Sequence, residues 1–219
     1  LIYIMSSLTI VGVSQRVDRV NSHKEWRDAL DERLIDWIIE AGFMPVPIPN
    51  NLIDLDLSTN NQTALDNWLK TLNIGAIVLS GGNNIGDIPQ RDFTEQHLLF
   101  WAEKNRKPVL GICRGMQMMG VYFGGKLIGG DGHVRTRHQL QVTNNRYIFP
   151  KTVNSYHNQV LKKSPNTFQI LAKSEDGSIE AMAHKVLPWE AWMWHPEREE
   201  KFNKIDQKRF KNLVDSEKT

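Results

Sequence analysis

Cysteine is nearly absent from this sequence: Cys113 stands alone among 219 residues, which excludes an intrachain disulfide framework. Long apolar runs are missing too, and none approaches the length that spans a bilayer. Residues 1–13 are apolar, but they carry neither a basic leader nor a small-residue cleavage site, so a first strand explains them better than a secretory signal. The first methionine is Met5, which leaves the native start open. Nor is there an excess of one charge. The 27 basic and 25 acidic residues give a formal net charge of +2, without the basic stripe of a nucleic-acid binder. Repeats, low-complexity tracts and linkers are lacking as well. These absences predict one folded unit over residues 1–219, a cytoplasmic location, and neither nucleic acid nor a membrane as partner.

What is present is an alternation of strand and helix patterns. Residues 8–13 form a β-branched run, and Trp26, Leu30, Leu34, Trp37, Ile38 and Ala41 then recur at helical spacing up to Gly42. A strand over 43–48, a polar loop over 50–61, a helix over 64–72 and a buried strand over 74–79 follow. After Ser80-Gly81-Gly82 come a helix over 91–106, a strand over 108–112 and a helix over 115–123 closed by Gly124-Gly125. This order predicts an α/β fold with a parallel sheet covered by helices on both faces. Beyond Lys126, short strands near 140–142, 168–172, 178–184 and 191–195 read as antiparallel additions, and 205–214 reads as a surface helix bearing lysines.

The most informative segment is Gly111-Ile112-Cys113-Arg114-Gly115, where a buried strand must turn sharply into a helix. This is the spacing of a nucleophile elbow with cysteine in the reactive place. The turn strains the backbone of the nucleophile, and a glycine two residues to either side prevents collision. A sulfur there is presented at the carboxyl end of the sheet and at a helix N-terminus, which favours thiolate. A lone cysteine is more often a buried small hydrophobe, but this context reverses that expectation.

A thiolate needs a base that can also protonate a leaving amine. His195 ends the apolar run Ala191-Trp192-Met193-Trp194, Pro196 stops the strand, and Glu197 is close enough to fix the imidazole tautomer. His133 and His138 lie in a stretch with Arg135 and Arg137, whose charges would repel a cation, so no metal site is expected there, and no cofactor is called for elsewhere. His157, in the polar cluster Asn154-Ser155-Tyr156-His157-Asn158, suits either a pocket lining or an ordinary turn. His23, His97 and His184 read as structural or exposed. An oxyanion formed on attack needs N–H donors: the amide of Arg114 is one candidate, and the glycine-rich Ser80-Gly81-Gly82-Asn83 loop offers a second.

Together, Ser80-Gly81-Gly82, Gly111-Ile112-Cys113-Arg114-Gly115-Met116-Gln117 and Trp194-His195-Pro196-Glu197, in this order, resemble the class I glutamine amidotransferase superfamily over nearly the whole chain. The resemblance implies a flavodoxin-like fold with a mostly parallel sheet and added antiparallel strands. It also implies a triad of Cys113, His195 and Glu197, oxyanion-hole amides at Gly82 and Arg114, and a substrate contact at Gln117. Val153-Asn154-Ser155-Tyr156-His157-Asn158-Gln159 and Asp176-Gly177-Ser178-Ile179-Glu180-Ala181 look like the γ-glutamyl-γ-aminobutyrate-hydrolase type of this superfamily, in which the first segment, here Ser155, Tyr156 and His157, lies beside a bound γ-glutamyl group. The connection from Gly125 to Val153 is shorter than in the polyamine-pathway enzymes. The compact length, Ser14-Gln15-Arg16, Arg91-Asp92 and the segment from Trp194 to Glu199 look more like family members that act on a nucleotide-linked γ-glutamyl phosphoramidate in bacterial surface-polysaccharide synthesis. The small γ-glutamyl substrate would then carry an anionic leaving group, which Arg16, Arg91, Arg114 and Arg198 are placed either to face or to ignore as structural ion-pair partners. A glutaminase subunit serving a synthase partner, a homodimer and a catalytically dead binding module are the other arrangements the resemblance admits.

Overall fold

In chain order the computed structural model, which describes residues 8–53 and 62–216, begins with strand β1 (Ile10–Ser14), the strands β2 (Arg16–Val20) and β3 (Glu25–Ala29), helix α1 (Glu32–Glu40) and β4 (Met44–Ile48). Helix α2 (Gln62–Thr71), β5 (Ala76–Leu79), α3 (Pro89–Lys104), β6 (Val109–Ile112) and α4 (Arg114–Tyr122) complete the alternating half. The second half holds β7 (Leu127–Gly129), β8 (Val134–Gln139), β9 (Gln141–Val142), β10 (Thr152–Tyr156), β11 (Gln159–Leu161), β12 (Phe168–Lys173), β13 (Ile179–His184), β14 (Trp189–Trp192) and α5 (Lys204–Asp215). The expectations for residues 1–7 and 54–61 lie outside the described residues.

The central sheet has the order β4-β1-β5-β6-β14-β13-β12-β9. Its β4-to-β14 part is parallel, and β13, β12 and β9 add to it antiparallel. Central strands β5 (AIVL) and β6 (VLGI) are buried along their whole length, as strands covered on both faces must be. Their side chains alternate between two cores. Val78, Leu110 and Ile112 join Val11, Val13, Leu34 and Trp37 under α1 and α5, while Ile77, Leu79 and Val109 join Leu65, Leu98 and Met116 under α2, α3 and α4. Helix α1 starts where the Asp31 carboxylate accepts from Arg33 N, and α5 where Asn203 caps Ile205 N. The α5 helix is more than a surface element: Phe210 is fully buried and its ring stacks on Trp37 at 4.9 Å.

Two expectations are corrected. Trp26 and Leu30 do not belong to the first helix, because residues 16–29 form an antiparallel β2–β3 pair, and Trp26 is 62 % exposed on β3. The 191–195 run is not an antiparallel addition: β14 pairs in parallel with β6, and only its other edge is antiparallel, to β13. Among the described residues no helix is long and apolar enough to cross a membrane.

Candidate active site

The carboxyl ends of β1, β5, β6 and β14 converge, the usual place for a site in a parallel sheet. Ser14 ends β1 and Ser80 follows β5; Ser80 N donates to Ser14 Oγ at 2.9 Å, and Ser80 Oγ donates to Ser14 O at 2.7 Å. Cys113 stands between β6 and α4 with φ 50° and ψ −102°, a left-handed-side conformation that costs a non-glycine residue energy. Its N–H is held by Trp192 O at 2.7 Å. The flanking glycines are required by contact: a Cβ on Gly115 would lie 2.2 Å from Leu79 O, and one on Gly111 would lie 2.7 Å from the Gly115 carbonyl carbon. The elbow spacing therefore reflects three backbones packed against one another.

His195, just beyond β14, is fixed from several directions. Asn154 of β10 accepts from His195 N at 3.0 Å and donates to His195 O at 2.8 Å, so one amide clamps both polar groups of this residue's backbone. The ring Nδ1 lies 2.6 Å from Glu197 Oε1, and the Tyr156 ring meets the imidazole edge-on at 5.8 Å. Arg33 Nε anchors Glu197 from the backbone side by donating to its carbonyl at 2.8 Å. Burial alone would lower the basicity of His195, but the Glu197 carboxylate, the Cys113 sulfur and the hydrogen bonds to both raise its pKa to about 10. The structure thus brings Cys113, His195 and Glu197 together, although Cys113 and His195 are 82 positions apart (195 minus 113).

The Ser80-Gly81-Gly82 loop lies against the imidazole, and a Cβ on Gly81 would sit 2.5 Å from His195 Cε1. Arg91, fully buried on α3, donates to the carbonyls of Ser80 at 2.7 Å and Gly81 at 2.9 Å. With every described peptide trans, a carbonyl turned toward Arg91 turns the following N–H, that of Gly82, the opposite way. Gly82 itself has φ +107°, open to glycine and strained for other residues. Arg91 is paired to Glu95 at 3.0 Å, Glu95 accepts from Ser14 Oγ at 2.8 Å, and the Arg114 guanidinium bridges Glu95 and Asp92. Burial would push the Glu95 carboxyl up, but the charges of Arg114 and Arg91 and the Ser14 hydroxyl hold it below its ordinary range. Arg91 and Arg114 are thus structural partners, and their side chains do not face the cleft.

A narrow cleft of about 30 Å³ is lined by Arg16, Gly81, Gly82, His195, Glu197 and Arg198, among others. Arg198 also lies over the Tyr156 ring at 4.7 Å. Behind β2 and β3 a larger cavity of about 500 Å³ is bordered by Val17, Trp26, Asp28, Asn50 and the start of α3. Alternation along the strands sends Arg16 and Ala29 to the cleft and Val17 and Asp28 to the cavity, so the hairpin is a shared wall.

Of the sequence-predicted substrate contacts, Arg16 and Tyr156 are beside His195. The other three are engaged elsewhere: Gln117 Nε2 donates to Gln159 O at 3.0 Å, Ser155 Oγ donates to His133 O at 2.7 Å, and the His157 ring lies 4.6 Å from that of His133. His133 and His138 are not in a loop flanked by repelling arginines. His133 immediately precedes β8 and His138 lies within it; strand alternation turns Arg137 away to pair with Glu199 at 3.1 Å, and Arg135, at φ 55°, falls in the bulge opposite Ser155 and Tyr156. Asn154 and Arg91 were not expected as positioning residues. Both act through backbone groups, for which the only sequence signal is a polar residue at an otherwise buried position.

The sequence pattern of the peptidase C26 family matches residues 9–197. The chain is 29% identical over 207 residues to the γ-glutamyl-CDP-amidate hydrolase of Campylobacter jejuni, covering 89% of this chain and 93% of that one. It is 30% identical over 142 residues to the glutamine-hydrolysing subunit of GMP synthase from Pyrococcus furiosus, covering 63% and 73%. A solved glutamine amidotransferase from Thermotoga maritima shares the fold, with TM-score 0.61, 16% identity, and 96% and 85% of the two chains covered. So does a Thermoplasma acidophilum protein provisionally assigned as the corresponding GMP synthase subunit, with TM-score 0.69, 23% identity and 96% of each chain covered.

Proposed function

From the fact that this chain belongs to the peptidase C26 family, the class I glutamine amidotransferase-like hydrolases of amide bonds, we propose that it cleaves the γ-glutamyl amide bond of a small compound and releases glutamate. The observation that carries this reading is Cys113 held at positive φ beside an imidazole hydrogen-bonded to Glu197 at 2.6 Å.

The Cys113 thiolate attacks the γ-carbonyl carbon, and the amides of Gly82 and Arg114 hold the oxyanion. The Arg91 grip on the Gly81 carbonyl supports the first of these donors, and the start of α4 at Arg114, whose N–H has no partner within that helix, supports the second. His195 gives its proton to the departing nitrogen, leaving a γ-glutamyl thioester on Cys113. Deprotonated His195 then takes a proton from water, which attacks the thioester, frees glutamate and restores the thiolate–imidazolium pair.

For the leaving group, a nucleotide amidate of the γ-glutamyl-CDP-amidate kind is favoured. The Campylobacter hydrolase aligns over nearly its whole length, Arg16 and Arg198 border the cleft, and the adjoining cavity has room for a bulky group beside Trp26. A second reading, a glutaminase subunit feeding ammonia to a synthase, is favoured by the GMP synthase relatives, but the Pyrococcus one aligns with only 63% of this chain. Measuring glutamate released from γ-glutamyl-CDP-amidate, γ-glutamyl-γ-aminobutyrate and glutamine separates the two. The expected kcat/KM is highest for the nucleotide amidate, by at least about 10²-fold over glutamine. Preference for glutamine, with stimulation by a synthase, would install the second reading instead.

The pH dependence follows from His195. Its folded pKa, about 10, exceeds the ordinary 6.5, so it is still protonated at neutral pH and loses its proton as pH rises through about 10. The rate of γ-glutamyl transfer to Cys113, followed in single turnovers, is expected to fall along that alkaline limb. Glu197→Gln removes the principal raising charge and should move the limb to lower pH; an unmoved limb would separate Glu197 from the histidine's protonation. By the same sign, the stability contributed by this ion pair is complete below about 6.5 and disappears as pH rises through about 10.

A further inference from the structure

Behind the cleft, His133, His138, His157 and Glu180 converge from three separate stretches of chain, with one potential ligand atom from each lying within 4.8 Å of all the others. His133 precedes β8, His138 lies on it, His157 follows β10 and Glu180 is in β13. Nδ1 of His133, Nε2 of His138, Nε2 of His157 and both oxygens of Glu180 are buried without a hydrogen-bond partner among the described residues. So many unsatisfied polar atoms pointing at one place are costly unless something binds them together. The histidines do not satisfy the carboxylate by themselves: His133 Nδ1 and His157 Nε2 stand 3.9 and 3.8 Å from Glu180 Oε1, beyond hydrogen-bond length.

The outer nitrogens, in contrast, are engaged. His133 Nε2 lies 2.9 Å from Asp176 Oδ2, and that carboxylate is itself held by Ser174 Oγ and Ser178 N. His157 Nδ1 lies 3.2 Å from the Gln159 carbonyl. Hydrogen bonds of this kind fix the tautomer and direct the inner nitrogen, as a lone pair, at a common point; carboxylate–histidine–metal arrangements work in this way.

We propose that His133, His138, His157 and Glu180 bind one divalent first-row transition-metal ion, zinc being the favoured one. Three imidazoles with one carboxylate suit that class of ion, and four protein ligands in a buried setting describe a closed structural site rather than one with an open position for chemistry. The site is separate from Cys113. Its consequence is mechanical: β8 and β10 form a two-stranded sheet outside the central one, and the ion ties them to β13. The same β10 carries Asn154 and Tyr156, which hold the His195 backbone and ring. The inference goes beyond the proposed hydrolysis and stands or falls without it.

The test is metal binding by the purified full chain, with zinc content determined by plasma mass spectrometry, the cobalt-substituted protein examined by visible absorption, and the unfolding midpoint read with and without zinc. The expected result is about one zinc per chain, intense four-coordinate cobalt bands and a raised midpoint in zinc. Glu180→Gln and His138→Gln should cut zinc retention at least about tenfold and remove the cobalt bands, whereas Cys113→Ser should keep both. His138 is only partly buried, so its glutamine variant tests the ligand set even if the Glu180 variant fails to fold. No binding to the wild-type chain at micromolar free zinc, or unchanged binding in the His138 variant, would overturn the proposal.

Discussion

Cys113→Ser is expected to reduce glutamate release by about 10⁴-fold or more at saturating substrate while leaving the thermal midpoint close to that of the parent. Serine fits the elbow, because the residues that must stay small are Gly111 and Gly115 and the adjacent helix start is retained. It does not ionise near neutrality, however, so the anion that faces His195 is lost along with the nucleophile. The two effects can be read separately. Steady-state glutamate release reports the missing nucleophile, and NMR titration of the imidazole should show His195 losing its proton at lower pH than in the parent. A serine variant retaining more than a tenth of the parent activity would show that Cys113 is not the nucleophile.

The largest stability effect is expected at Arg114→Met. The guanidinium is 2 % exposed and bridges Asp92 and Glu95, and Glu95 is completely buried. Removing one partner of such a pair leaves buried carboxylate charge uncompensated, at a cost of about 3–5 kcal/mol. For a chain of this size that is roughly a 10 °C fall in midpoint, measurable by calorimetry or circular dichroism. The sign with pH is also fixed. Glu95 is held below its ordinary value of 4.5 in the folded parent, so the stability it contributes is present above that value and is lost as pH falls through its lower, folded pKa. The variant removes the leading cause of that depression, and its deficit should therefore shrink toward acid pH, where protonated Glu95 no longer needs the guanidinium. Adding Glu95→Gln to Arg114→Met should recover part of the loss. A deficit independent of pH and unrelieved in the double variant would assign the effect to packing of the arginine stem instead. Because this substitution keeps the backbone N–H at residue 114, it also separates the structural work of the side chain from the oxyanion role proposed for the amide.

How much of this was legible beforehand depends on how local each feature is. The turn around Cys113 could be read from sequence because strand, sharp turn and helix are contiguous, and the glycine positions follow from backbones that touch within that short segment. His195 and Glu197 were readable for a similar reason: two residues of spacing suffice to place a carboxylate on an imidazole. The helices over α1, α3 and α4 carried their apolar periodicity openly, apart from the β2–β3 pair, whose short strands left Trp26 and Leu30 looking like the first turns of α1. A few residues of alternation cannot outweigh a longer helical match.

Strand direction was not readable at all. The run Trp189–Trp192 is buried on both faces whether its neighbour is parallel or antiparallel, and only the path of the chain across the sheet sets it beside β6. The orientation of the Ser80–Gly81 carbonyls likewise depends on Arg91 arriving from α3. Thus the amino-acid sequence by itself determined the nucleophile, its strained turn and the histidine–glutamate pair, because each is specified by steric and hydrogen-bonding rules acting over a few consecutive residues. Tertiary structure alone decided which arginines face the cleft and which are locked to Glu95, and it alone gathered His133, His138, His157 and Glu180. No spacing along the chain encodes that meeting, since it is produced by the pairing of β8 with β10 and the packing of both near β13.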